Sequence, residues 1–213
     1  FEADLLPGYV WSFPLPGRRA NVGFGVLRGG RVAIGDTGRI WTELLDRPGI
    51  RGVLGDDAVA EGRHAAWPIP ARVNRSVLDH GPVLFTGDAA SATDALTGEG
   101  IGQALLTGAL AAESILTGGT PEVIGSRYRR AVRRELVADH RMSALLQRVM
   151  AYPPAAGTTL ALAGLTGWTR RNFARWLFED YPRALVATPR RWRPGALGRP
   201  GAYHRQIVPP TCQ

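Results

Sequence analysis

The stretch Val83-Leu84-Phe85-Thr86-Gly87-Asp88-Ala89-Ala90, continuing through Ser91 to Leu96 into Thr97-Gly98-Glu99-Gly100-Ile101-Gly102, constrains this chain more than any other. An apolar run stops at Gly-Asp, a loop of small residues follows, and the Thr-Gly-Glu-Gly turn opens about twenty residues without proline. The spacing predicts a strand, a loop and a helix start. Such a unit sets an acidic side chain at the carboxyl end of a strand and aims unpaired helix N–H groups into the adjoining crevice. A ligand with hydroxyls and a partly negative ring suits it. Gly-Asp alone says little, because many turns contain it. The whole pattern with its spacing separates this reading from an ordinary strand-turn-helix whose glycines serve only positive φ.

Nearer the start, Pro7-Gly8-Tyr9-Val10-Trp11-Ser12-Phe13-Pro14 carries an aromatic ring at every second position. On a strand Tyr9, Trp11 and Phe13 share one face. Asn21-Val22-Gly23-Phe24-Gly25-Val26 alternates in the same way, with Gly23 and Gly25 where a backbone or ligand must come close. The two runs read as antiparallel strands joined through Pro16-Gly17-Arg18-Arg19. An aromatic face flanked by glycines is a wall for a flat or long apolar ligand; the plainer alternative is a sheet face packed on its own core.

Together the two motifs resemble the flavoprotein family that includes p-hydroxybenzoate hydroxylase and, more closely, the geranylgeranyl reductases. The resemblance runs from about Pro7 to near Tyr181. It implies FAD as cofactor, with Gly87 and Asp88 beside the ribityl chain and Asp88 on one of its hydroxyls. It implies that Gly98, Glu99, Gly100 and Ile101 set backbone amides near the pyrimidine edge of the ring, where negative charge gathers on reduction. That family usually has a proline shortly before this turn; here the residues are Asp94-Ala95-Leu96. Tyr9, Trp11 and Phe13, with Gly23 and Gly25, correspond to the substrate side, where an isoprenoid chain faces the flavin. The implied activity is hydride transfer from reduced FAD to carbon–carbon double bonds of a polyprenyl chain, on a prenyl diphosphate or a prenylated quinone. An external electron donor is implied. No catalytic residue is identified; Tyr9 is the candidate proton donor. The alternative on the same fold is a monooxygenase or halogenase, which would want a catalytic lysine, and this chain contains none.

The expected fold is α+β with α/β character, a partial p-hydroxybenzoate hydroxylase-like arrangement. Residues 1–75 would hold the substrate sheet, 76–120 the C-terminal part of the FAD-binding domain, 121–188 a helical region and 189–213 a tail rich in proline and arginine. Helices are predicted over Thr37–Leu45 and Pro48–Leu54, from Gly100 to Thr117, from Thr120 to about Met150 and over Trp168–Glu179. Val59–Ala66 reads as a strand, Trp67-Pro68-Ile69-Pro70 as an extended link and His80-Gly81-Pro82 as a turn. No G-x-G-x-x-G occurs, and the chain opens on Phe1. It is therefore expected to be a C-terminal fragment that binds FAD weakly or not at all by itself and is inactive alone.

Every basic residue is arginine, and the net charge is +8. Through Thr120 there are 10 arginines against 13 acids, and beyond it 16 against 5. The basic half would face a diphosphate or an anionic lipid surface, giving peripheral membrane contact of a cytoplasmic protein. A non-enzymatic arginine-rich module on an anionic surface is the alternative from another class; no nucleic-acid partner is expected, because the arginines do not interleave with a nucleic-acid motif. The uncharged run between Arg148 and Arg170 is broken by Pro153 and Pro154, too short to span a bilayer. One cysteine excludes an intrachain disulfide, and four scattered histidines show no metal-ligand spacing.

Overall fold

In the computed structural model, residues 3–178 and 181–195 are described. Among them, six helices accompany two small antiparallel ladders, an α+β arrangement. The chain divides into two compact units, one of Phe1–Pro68 with Gln147–Ala156, the other of Ile69–Leu146 with Gly157–Gln213.

The first unit is built on a hairpin of β1 (Gly8–Leu15) and β2 (Arg19–Val26). The register pairs Tyr9 with Gly25, Trp11 with Gly23 and Phe13 with Asn21 on one face, and Val10 with Phe24 on the other. Period two therefore sorts the side chains. Val10, Phe24 and Val26 pack on a core of Leu5, Val32, Ile40 and Leu44, while the ring-bearing face turns away from it. Helices α1 (Thr37–Leu45) and α2 (Pro48–Leu54) follow as expected. Ile40 and Leu44, one turn apart, form the buried side of α1, and Trp41 stacks on Phe24 at 6.0 Å. Val59–Ala66 forms no strand. Its backbone has no ladder partner among the described residues, and a propensity for strand is not realised without one. Trp67 is 88 % exposed.

In the second unit β3 (Asp79–His80) pairs with β4 (Val83–Leu84) around Gly81, whose φ is +53°. The organising strand is thus much shorter than its apolar run: after Leu84 one more bond, Phe85 N–H to Leu78 O, continues the ladder, and Gly87–Ala90 coils into a 3-10 turn. His80 belongs to a strand end rather than to the turn.

Helices α3 (Ile101–Leu116) and α4 (Pro121–Met150) enclose the core of this unit. Thr107, Leu110, Ala111 and Ser114 recur at helical spacing on α3, as do Tyr128, Val132 and Leu136 on α4. Each fully buried leucine or valine here contributes about 1.5–3 kcal/mol. Tyr128 is fully buried, donates its hydroxyl to Phe85 O at 2.6 Å, and is pushed up to about 12 by that burial. Gly125 admits the Asp79 carboxylate, which a Cβ would overlap, and Arg129 pairs with that carboxylate.

Helices α5 (Pro153–Gly164) and α6 (Gly167–Phe178) complete the described helices. No described helix is long and apolar enough to cross a membrane. Most of the expected tail lies outside the described residues. Arg191, within it, is held: its Nη1 donates to Asp139 Oδ1 at 2.8 Å and its Nη2 to Arg134 O and Glu135 O.

Candidate functional site

In the second unit the Gly-Asp motif forms a tight, largely backbone-defined corner. Thr86 is extended, Gly87 has φ +53°, and its N–H donates to the buried Thr107 hydroxyl at 2.9 Å. A Cβ on Gly87 would sit 3.1 Å from that of Ala104, so glycine serves both the positive φ and the close approach of α3. Asp88 follows at the surface. Its Oδ1 accepts from the Thr93 hydroxyl at 2.9 Å, and its Oδ2 has no donor among the described residues.

The loop from Ser91 to Asp94 is buried, and Ser91 takes a left-handed φ of +52°. Asp94 closes it. Its Oδ1 accepts from Leu96 N–H and Thr97 N–H at 2.9 Å each and from the Thr97 hydroxyl at 3.1 Å. Its Oδ2 accepts from the Ser143 hydroxyl at 2.6 Å and lies 3.6 Å from Arg183 Nε. Burial raises the Asp94 carboxyl, but hydrogen bonds from Ser143 and Thr97 and the charge of Arg183 outweigh it and hold it below the ordinary aspartate range. The rigidity that a proline would give is supplied here by a buried carboxylate.

Among the turn amides, Gly98 N–H donates to Asp94 O and Glu99 N–H to the Thr97 hydroxyl. Glu99 caps its own helix, taking Gly102 N–H on Oε1 at 2.9 Å. Gly100 and Ile101 N–H have no acceptor among the described residues. A Cβ on Gly100 would lie 3.2 Å from the Thr93 hydroxyl and 3.5 Å from Asp88 Oδ1, so Asp88 and this turn lie side by side. Two of the four predicted amides are left open to a ligand, and two are used by the fold.

In the first unit Tyr9, Trp11 and Phe13 form a continuous ladder of rings. Tyr9 and Trp11 centroids are 5.8 Å apart, those of Trp11 and Phe13 6.5 Å apart and nearly parallel at 26°. Gly23 and Gly25 make room for the chain's own rings. A Cβ on Gly23 would overlap the Trp11 indole, and one on Gly25 would meet the Tyr9 ring at 3.2 Å. Trp11 is pinned further by its Nε1 donating to Asn21 Oδ1 at 2.9 Å. Tyr9 is 37 % exposed and Phe13 60 %, so a ligand meets ring faces and edges while the glycine backbone beneath stays covered.

Sequence reasoning passed over Asp94, Thr107, Ser143 and Arg183. For Asp94 the signal was present: Asp-x-x-Thr ahead of a helix marks a carboxylate that bonds the backbone two and three residues on. Thr107, Ser143 and Arg183 are joined to the site only through space.

Curated relatives match part of this chain. The chain is similar to a digeranylgeranylglycerophospholipid reductase of Methanothrix thermoacetophila, 33% identical over 113 residues, which is 53% of this chain and 27% of the relative. It is 34% identical to a menaquinone reductase of Mycolicibacterium smegmatis over 126 residues, 57% of this chain and 29% of the relative. With a menaquinone reductase of Mycobacterium tuberculosis the match is 29% over 210 residues, 91% of this chain and 46% of the relative. The chain thus spans between about a quarter and about half of the length of these proteins. No family profile matches the chain, and no solved structure matches it significantly. Over the aligned residues the chain is thus similar to proteins named as reductases, of digeranylgeranylglycerophospholipid and of menaquinone.

Proposed function

We propose that this chain forms part of an FAD-dependent reductase, of p-hydroxybenzoate hydroxylase-like fold, that saturates carbon–carbon double bonds in a polyprenyl chain. The observation that carries the reading is the corner at Asp88, where a carboxylate oxygen and the Gly100 and Ile101 amides stand side by side with no partner among the described residues. Those groups fit a flavin: Asp88 Oδ2 can accept from a ribityl hydroxyl, and the amides can donate to the ring's pyrimidine edge. Reduced FAD supplies the hydride for an alkene carbon. The residues of the chain supply the rest. Asp88 and the Gly87 corner orient the cofactor, and the amides favour its more negative form without needing to reorganise. Tyr9, Trp11 and Phe13 offer a ring surface on which a long apolar chain lies with little polar desolvation. Tyr9 is the one hydroxyl on that face of the hairpin and is the proposed source of the proton.

A prenylated quinone is the preferred substrate, because the relative aligned over 91% of the chain is named a menaquinone reductase. The electron donor is external, and the arginine-rich half is proposed to meet an anionic lipid surface. Feeding the intact enzyme a prenylated quinone under anaerobic reducing conditions should give a product heavier by two hydrogens per bond reduced. Strict dependence on oxygen, with an oxygenated product, would overturn the reading in favour of a monooxygenase.

A further inference from the structure

Asp94 lies behind the turn and is only 7 % exposed, so a ligand at the corner does not reach it. Its two oxygens serve different elements. Oδ1 holds the backbone that enters the turn, and Oδ2 meets Ser143 of α4 and Arg183 of the C-terminal segment. Arg183 is itself 8 % exposed. Its Nη2 donates to Leu177 O, its guanidinium lies 5.5 Å from the centre of the Trp176 ring, and its Nη1 has no partner among the described residues. Burying a guanidinium is unfavourable unless opposite charge compensates it; Asp94 is the carboxylate in contact with it, and the charge of Asp139 acts on it as well. The segment that carries Arg183 is fixed to α4 separately, by Ala184 N–H and Arg191 Nη1 on Asp139 Oδ1.

We propose that Arg183 is a positioning residue for the cofactor turn: from the C-terminal segment it holds the Asp94 carboxylate against Leu96 and Thr97, and so keeps the Gly100 and Ile101 amides open. The inference rests on the flavin reading of that turn. Without the guanidinium, the Asp94 carboxylate is a buried charge that has lost its Arg183 partner, with the His140 imidazole as the other titratable group that feels it. It then re-orients or takes up a proton, and the amides it held compete for other acceptors. The C-terminal segment thereby acts on the cofactor without touching it.

The test uses the intact protein and three variants: Arg183→Gln, Arg183→Lys and, as a control on the same segment, Arg191→Gln. Amide hydrogen exchange over residues 94–101 reads the turn, flavin fluorescence quenching reads FAD affinity, and a redox titration reads the midpoint potential of the bound flavin. Arg183→Gln should speed exchange at Leu96, Thr97 and Gly98 about tenfold. It should weaken FAD binding about tenfold and lower the potential by about 30 mV, the two-electron equivalent of a tenfold loss of preference for the reduced ring. Arg183→Lys should recover most of both effects, and Arg191→Gln should leave turn and potential as they were. Unchanged exchange in Arg183→Gln overturns the proposal and leaves the flavin reading intact. Faster exchange with unaltered FAD affinity and potential overturns the positioning role alone, whereas no FAD binding by the unaltered protein sinks the flavin reading and the positioning role together. Should Arg183→Gln fail to fold, Asp94→Asn decides. It keeps the side chain's shape and its Oδ1 acceptor but loses the attraction to Arg183, and wild-type exchange and potential in it overturn the proposal.

Discussion

The ring ladder of the hairpin and the glycine turn at Asp94 are built on opposite principles. On the hairpin, side chains make the surface: three rings lie along one face, two of them flat over glycines, with more than a third of Tyr9 and Phe13 left exposed. At the turn, backbone makes the surface and side chains only hold it. Gly87, Asp88 and the amides of Gly100 and Ile101 owe their places to Thr107, Thr93 and Asp94. The first kind of surface tolerates substitution and can be retuned ring by ring. The second is set by φ angles and buried hydrogen bonds, so a single change removes it.

The contrast should be sharpest for Asp94→Ala, which strips acceptors from Leu96 N–H, Thr97 N–H, the hydroxyls of Thr97 and Ser143, and buried Arg183. A loss of about 3–5 kcal/mol is expected from urea denaturation, because one partner of a buried pair is removed while the other remains. Replacing a glycine in each region by alanine sets the two principles side by side. Gly87→Ala should cost about 2 kcal/mol, since it imposes positive φ on a residue with a Cβ and crowds Ala104. Gly23→Ala should instead push the Trp11 indole off the sheet and break its bond to Asn21, visible as a shifted indole N–H resonance, for under about 1 kcal/mol. Equal costs for the two would break the distinction.

The smallest effect is in the pH response. Burial lowers the His140 pKa below its ordinary 6.5, with the charge of Asp94 pulling the other way. The unfolded chain therefore takes up this proton first, and the stability that His140 contributes is complete above pH 6.5 and lost as pH falls through its folded value. Asp94, lowered from 3.8, adds a second loss below that pH, while Asp139, raised by burial, works against both. Acidification should accordingly loosen amide protection at residues 94–101 before the Trp11 indole responds. His140→Gln should flatten the slope just below pH 6.5.

The elements with a strong period were readable in advance. The alternation of Tyr9, Trp11 and Phe13 gave the hairpin and its face, and the punctuation by Gly118, Gly119 and Pro121 separated α3 from α4. What was not readable depends on partners distant in sequence. Val59–Ala66, expected as a strand, finds no ladder among the described residues, and Val83–Leu84 is cut short because only Asp79–His80 pairs with it. The same limit applied to the site. Asp88, Gly100 and Ile101 were singled out by a local motif, whereas Ser143 and Arg183 lie 49 and 89 positions from Asp94 and carry no local signal.

Glu99 spends its carboxylate on Gly102 N–H, and Asp88 stands exposed beside Gly100, so the mouth of this helix already carries negative charge. An incoming anion with a full, fixed charge meets repulsion there, moderated by water because both carboxylates are exposed. A molecule that arrives nearly neutral and becomes electron-rich only after docking escapes that barrier on entry, yet still finds the Gly100 and Ile101 amides waiting. Two exposed carboxylates at this helix mouth therefore favour an uncharged group over a phosphate.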